Sequence, residues 1–378
     1  MRSSIQNFIR PERLQALLYD AVCEYSPTYA EQPAVAVFER AIMDADLRLE
    51  TQNVDTPGAE PDDPRRNLII RLGPEPAALL WLGHTDTVVL PDDEVLDPRI
   101  DDGVLWGLGS SDMKSGCAAA IEAAIAIHES GIQLKRGIVI GLVVGEEEYG
   151  DGAERLLERV QAPLAIVGEP TSLQPCFEHY GYLEAELQAR GKRAHAAVPE
   201  HGANAIHAML VWLTQVLEVR AEMSEHLVLN PRELSGASPL FAVPEACQAT
   251  LDAHLRGDSD PEEVVEIIEI ARARASEQHR GVMTNWEQVF YAPGYTIDVE
   301  DARFSFVKEA FDACGVPWTP AAFRSHSDGS LLAQQGILPL VIGPGDLSVA
   351  HTPEERVSLS EVESAARLYA ELFLRVAT

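Results

Sequence analysis

Four near-continuous apolar runs, "NLIIRL" (67–72), "AALLWLG" (77–83), "GIVIGLVV" (137–144) and "LAIVGEP" (164–170), recur along the first half of the chain. Two amphipathic helices (about 11–24 and 33–45) precede them, and helical stretches from Gly116 to Ser130 and from Gly152 separate the later ones. Short apolar strands alternating with helices define an α/β fold built on a largely parallel sheet. In such sheets ligands gather at the carboxyl ends of the strands. His84, the acidic cluster after Val144, and Glu169 each stand just past such an end.

The style changes near Cys176. "YLEAELQARG" alternates like a half-exposed strand, a helix follows near 203–219, "CQATLDAHLRG" is a strand, 261–279 is a helix and "VMTNWEQVFY" another strand. From about Pro293 the first style returns with a helix at 301–314, the strand "LPLVIG" and a closing helix from Ser358. At 378 residues the chain exceeds one comfortable core. We therefore expect a discontinuous catalytic domain (1–175 and 292–378) carrying an inserted α+β domain (176–291).

The formal net charge is −31, from 60 acidic and 29 basic residues. A nucleic-acid backbone or an anionic membrane surface would be repelled, so neither is an expected partner. Only four basic residues are lysines (Lys114, Lys135, Lys192, Lys308). Adaptation to a salty cytoplasm and a GC-rich genome using Arg for Lys both account for this, and activity and melting temperature measured against KCl separate them. The five cysteines are odd in number and far apart, with no C-x-x-C pair. With no 18-residue apolar stretch and no apolar leader, the expected setting is a reducing cytoplasm.

Five segments concentrate the unusual polar residues: "GHTDT" (83–87), "GSSDMKSG" (109–116), "GEEEYGDG" (145–152), "VGEPTS" (167–172) and "VAHTPEE" (349–355). Residues two apart on a strand point the same way, so His84 and Asp86 leave the strand end side by side. Imidazole and carboxylate donors without paired thiolates suit Zn²⁺, and also Co²⁺ or Mn²⁺. Two His and several acids suffice for two ions sharing one carboxylate, with a spare Glu to move a proton.

In order and spacing, these segments resemble the dinuclear zinc amidohydrolases that include acetylornithine deacetylase, succinyl-diaminopimelate desuccinylase and carboxypeptidase G. "AIVGEPTSLQP" (165–175) is most similar to the acetylornithine deacetylase branch. The resemblance implies a zinc-peptidase-like catalytic domain with a ferredoxin-like dimerisation domain inserted. It implies His84, Asp112 and Glu169 as ligands of one ion, with Asp112 bridging and Asp86 orienting His84. In the family pattern D-E-E-x-G, Glu147 becomes the general base and Glu148, with His351, a ligand of the second ion. The run Glu146-Glu147-Glu148 also admits a slip of one residue, with Glu146 as base.

Within the inserted segment, His195 resembles the histidine that crosses a dimer to stabilise the oxyanion, and Arg256 the arginine that clamps a substrate carboxylate. Asn204 matches an Asn near the substrate, and Gly343, Pro344 and Gly345 resemble a loop lining the pocket with backbone groups. "RSHSDGS" (324–330) resembles a stretch near the pocket in which Asp328 anchors structure. His128, His207, His226 and His279 read as packed or solvated side chains; His179, His201 and His326 lie near the site segments. The implied reaction is hydrolysis of the amide of a small N-acyl amino acid by a homodimer, acetylornithine-like first. Succinyl-diaminopimelate and dipeptide or folate-type substrates are the nearest alternatives, and a silent metal-binding scaffold is the alternative from another class.

Overall fold

The computed structural model describes residues 5–55, 65–91, 97–224, 226–237, 240–257 and 259–378. The chain divides into two compact units. The first comprises Met1–Phe177, Ile297–Phe323 and Ser327–Thr378; the second comprises Glu178–Thr296 and Arg324–His326. No helix among the described residues is long and apolar enough to cross a membrane.

In the first unit, strands Leu49–Asn53, Arg66–Leu72, Gly137–Val143, Ala77–His84, Leu164–Val167 and Leu338–Val341 lie side by side in that order. The last four run parallel, and the first two pair antiparallel. Every residue of Ala77–His84 and Gly137–Val143 is buried, which is why these strands show no polar alternation: helices cover the sheet. The Ala-rich helix Lys114–Ser130, buried as far as Ile127, packs on helix Leu359–Ala377, and both contact strand Ala77–His84. Strand Leu49–Asn53, "LETQN", escaped the sequence reading because it is a polar edge strand in which only Gln52 is buried.

The second unit is a four-stranded antiparallel sheet ordered Val228–Ser235, Ala246–Leu255, Gly181–Arg190, Met283–Ala292. Helices Ala205–Met223 and Glu262–Gln278 interleave with the strands in the chain as β-α-β-β-α-β, the ferredoxin-like arrangement. Along Gly181–Arg190 the alternate positions Leu183, Ala185, Leu187 and Ala189 are buried. They meet Trp212, Leu251, Ile267 and Ile268 in one core. The strand at Val228–Ser235 carries no alternating sequence signal: it contains Pro231, and its register shifts between Pro231 and Glu233. Proline is tolerated there because the strand is an edge.

Trp212 is fully buried and its indole N–H donates to the Ile268 carbonyl at 3.3 Å. Trp212→Ala is expected to destabilise this unit by about 3–5 kcal/mol through cavity formation. Urea unfolding followed by hydrogen exchange in Gly181–Arg190 measures the loss.

Candidate metal centre

The two donor groups and the residues that support them belong to the first unit. His84 ends strand Ala77–His84, the Gly145–Gly150 turn follows strand Gly137–Val143, and Glu169 follows strand Leu164–Val167. Because these strands are parallel, their carboxyl ends lie on one edge of the sheet and deliver the three segments together. Asp112 precedes helix Lys114–Ser130. His351 comes from the loop after Leu347–Val349 and takes the left-handed backbone conformation, φ 58°.

Two donor groups result: His84, Asp112 and Glu169, and Asp112, Glu147 and His351, with ligand atoms within 4.8 Å of one another in each. Asp112 belongs to both. Its Oδ1 lies 3.2 Å from His84 Nε2 and its Oδ2 3.5 Å from His351 Nε2. Glu169 Oε1 is 3.8 Å from His84 Nε2, and Glu147 Oε2 is 3.1 Å from His351 Nε2. Imidazole and carboxylate donors with one carboxylate facing both sides fit a pair of Zn²⁺, Co²⁺ or Mn²⁺ ions.

In the acidic run the structure places the side chains one residue off the expected register. Glu147, expected as the base, stands in the second donor group; Glu148, expected as a ligand, is exposed. Glu146 turns into the site, with Oε2 3.9 Å from His84 Nε2. The reason is a tight turn in which Tyr149 and Gly150 both donate their N–H to the Gly145 carbonyl. The Asp86 carboxylate accepts the N–H groups of Glu146 and Glu147, at 3.3 and 3.1 Å. Those two side chains are held inward, and the curvature sends the third out.

Asp86 also steers His84. The His84 Nδ1 lies 3.1 Å from the Asp86 carbonyl oxygen and 3.5 Å from its Oδ1. Both only accept when the carboxyl is ionised, so Nδ1 carries a hydrogen and Nε2 keeps its lone pair in the neutral ring.

Several supporting residues have no role assigned by the sequence. Thr28 Oγ donates to Asp86 Oδ2 at 2.7 Å. Buried Glu355 accepts the N–H groups of Ser111 and Asp112 at 2.9 and 3.0 Å, and its place four residues after His351 was the only hint. Asn67 accepts the Val144 N–H and donates to the Gly152 carbonyl, pinning both flanks of the acidic turn. Buried Lys114 donates to the Ala21 and Glu24 carbonyls at the end of helix Pro11–Cys23.

The site is electrostatically loaded. Burial drives the carboxyl groups of Glu146, Glu147 and Glu169 above their ordinary range, with neighbouring acids adding to it. For His351 burial favours the neutral ring, but Asp112 and Glu147 outweigh it and hold the proton up to about 11. His84 is likewise raised against its burial by Asp112 and Asp86. Burial opposes ionisation of Asp112, yet its hydrogen bonds to His351 and His84 hold it below the usual carboxylate range.

An ion entering such a site displaces imidazole protons. Calorimetric Zn²⁺ titrations in buffers of different ionisation enthalpy are therefore expected to show proton release, with tighter binding at pH 8 than at pH 6. Equal affinity at both pH values without proton release would show that these histidines take no part.

The remaining candidates sit differently. Gly343 and Gly345 do not offer free N–H donors: Gly343 N donates to Thr171 Oγ1 at 3.1 Å and Gly345 N to Glu361 Oε1 at 3.0 Å. A Cβ at Gly343 would come within 2.3 Å of the Glu169 carbonyl, so this glycine lets its loop lie against the Glu169 backbone. His195, Asn204 and Arg256 belong to the second unit. His195 is exposed and its Nδ1 accepts the Ala197 N–H. Asn204 caps helix Ala205–Met223 through the His207 N–H at 3.0 Å. Arg256 is paired with Glu178, Nε to Oε1 at 2.8 Å and Nη2 to Oε2 at 3.3 Å.

Imidazoles and carboxylates grouped around one shared aspartate, at the carboxyl edge of a parallel sheet, define a metallohydrolase class. The chain belongs to peptidase family M20/M25/M40, whose family model matches residues 80–375, and it is a metal-dependent hydrolase of amide or peptide bonds. It is 28% identical over 324 residues to an acetylornithine deacetylase of Photorhabdus laumondii, covering 81% of this chain and 82% of that protein. A second acetylornithine deacetylase, from Pectobacterium atrosepticum, is 26% identical over 322 residues, with the same coverage. Among solved structures, human carnosine dipeptidase 1 superposes with a TM-score of 0.80 at 14% identity, covering 98% of each chain. A tripeptidase from Staphylococcus aureus gives 0.79 at 22% identity, covering 98% of this chain and 99% of that one.

Proposed function

We propose that this protein hydrolyses the amide bond of a small N-acyl amino acid, with acetylornithine-like substrates first. The observation that carries the reading is Asp112, one carboxylate shared by both donor groups, with Glu146 Oε2 3.9 Å from His84 Nε2. The names of the two deacetylase relatives support the substrate class. Succinyl-diaminopimelate and dipeptides remain the alternatives, the latter favoured by the two peptidase neighbours.

His84, Asp112 and Glu169 would hold one ion and Asp112, Glu147 and His351 the other, Zn²⁺ before Co²⁺ or Mn²⁺. When bound, such a pair acidifies water and polarises a carbonyl. Glu146 takes the proton from the attacking water and returns it to the leaving nitrogen.

Asp86 keeps His84 in the ligating tautomer. Gly343 and Gly345 contribute the shape of the pocket floor. Because His195 Nδ1 accepts a hydrogen bond, its neutral ring carries the proton on Nε2 and can donate it to an oxyanion. We infer that His195 does so in the partner's site of a cytoplasmic homodimer. Arg256, oriented by Glu178, clamps the substrate carboxylate, and Asn204 holds the start of the helix that follows His195.

Metal analysis with hydrolysis of acetylornithine, acetylcitrulline, acetylmethionine, succinyl-diaminopimelate and dipeptides, with and without Zn²⁺ or Co²⁺, tests the reading. Two ions per chain and turnover of an acyl amino acid are expected. Turnover of dipeptides alone would move the assignment to the peptidases, and full metal loading without turnover would return the scaffold alternative.

A further inference from the structure

The turn carrying Glu146 and Glu147 packs two acids into a buried site that already holds Asp86, Asp112, Glu169 and Asp328. Contacts on both sides of this turn fix which of its side chains face the site. From the metal side, Asp86 accepts two of its N–H groups. From the far side the group in place is Arg65, which lies before the start of the family match at residue 80.

The Arg65 side chain is 4% exposed. Its Nε donates to both oxygens of Glu31 at 3.0 and 3.1 Å, and its Nη2 to Glu31 Oε1 at 2.8 Å. Nη1 and Nη2 also reach Asp151, at 2.5 Å to Oδ2 and 3.0 Å to Oδ1. The Tyr29 ring covers the guanidinium at 4.8 Å and also meets the ring of Tyr149, on the turn itself. A Cβ on Gly145 would fall 2.4 Å from Arg65 Nη2 and 2.1 Å from Asp151 Oδ1. The guanidinium therefore lies directly against the residue before Glu146 and is tied to the residue after Gly150. These two contacts bracket the acidic turn.

Glu31 opens helix Gln32–Asp44, and the segment leading to it is itself fixed to the metal edge. Ser26 Oγ donates to the Thr85 carbonyl, Thr87 N to the Ser26 carbonyl, and Thr28 Oγ to Asp86. Residues 26–31 and Arg65 thus form a collar linking the "GHTDT" segment to the acidic turn.

We propose that Arg65 is a positioning residue for the hydrolytic reaction: by tying Asp151 to Glu31 beneath Gly145, it sets the turn so that Glu146 and Glu147 face the donor groups. The assignment rests on the reading of Glu146 as base and Glu147 as ligand. Two edges of one planar fork serve two carboxylates, a task an ammonium does not perform. Arg65→Lys keeps the charge and loses the geometry.

The test compares Arg65→Lys with Arg13→Ala, which breaks another ion pair, to buried Glu122, away from the donor groups. Melting temperature, Zn²⁺ affinity by calorimetry, kcat and KM are measured on each full-length protein. Loss of a group that orients ligands from behind typically costs 10–100-fold in affinity or activity. Arg65→Lys is therefore expected to lose about 30-fold in kcat with KM within about threefold, and to weaken the weaker Zn²⁺ event by about tenfold. Arg13→Ala is expected to melt earlier while keeping both.

Unchanged kcat and Zn²⁺ affinity in Arg65→Lys overturns the proposal, as does an equal loss of both in Arg13→Ala at the same drop in melting temperature. If Arg65→Lys does not fold, Asp151→Asn, which leaves the Arg65–Glu31 pair intact, must show the same split, and its absence overturns the proposal. Failure of the unaltered protein to cleave any acyl amino acid or dipeptide refutes the reading of Glu146 as base, while the Zn²⁺ measurement still decides the role of Arg65.

Discussion

Glu146→Gln is expected to lower kcat by about 10³–10⁴-fold while both ions still bind, because it removes the proton carrier and leaves the two donor groups whole. Glu147→Gln should behave differently, losing the second ion as well as activity, since it strips a carboxylate from the group formed with Asp112 and His351. Glu148→Gln should stay within about twofold of the parent, its side chain being exposed. Metal content and kcat measured on the three variants distinguish this register from the one the family pattern suggests. Normal turnover by Glu146→Gln, with Glu147→Gln inactive but fully loaded, would return the base to Glu147.

The second large effect concerns acid. In the second unit His179 is fully buried and stacked on Tyr295, 4.8 Å between centroids. His326 sits against Tyr182 and Phe290 with His179 at its edge. Burial, with repulsion from the neighbouring imidazole, depresses His179 to about 3; burial, with repulsion from His254, depresses His326 to about 4.

In the unfolded chain each ring takes up a proton near the ordinary value of about 6.5. Between these limits the unfolded state binds more protons than the folded one, so stability falls as pH drops below about 6.5. By pH 4 the loss is roughly 3 kcal/mol per histidine, at about 1.4 kcal/mol per pH unit. Urea unfolding at pH 7 and pH 4.5, with hydrogen exchange in Gly181–Arg190, is expected to show a steep acid loss that His179→Phe with His326→Phe flattens. An unchanged acid slope in the double variant would assign the loss to carboxylates instead.

Much of the candidate site is legible in the sequence because its residues arrive on local signals. His84 and Glu169 follow apolar strands, Asp112 sits in a polar segment before an Ala-rich helix, and His351 lies in a polar segment after an apolar strand. The resemblance joined segments that periodicity alone leaves separate. Missing from that reading were groups whose role depends on contacts far along the chain. Thr28, Asn67 and Glu355 are ordinary polar residues until folding brings them to Asp86, to the flanks of the acidic turn and to the Asp112 amide.

The same boundary runs through the fold. Hydrophobic period and strand length, which are properties of neighbouring residues, determined the α/β class, the parallel core and the inserted α+β unit. A polar edge strand such as Leu49–Asn53, or a proline-bearing one such as Val228–Ser235, has no such period, and only pairing with its neighbour makes it a strand. The register of Glu146-Glu147-Glu148 belongs with these. Three identical side chains in a row carry no local information about which faces inward. The choice was made by Asp86 capturing two backbone N–H groups and by Arg65 and Asp151 closing on Gly145, contacts that exist only once the sheet edge has assembled.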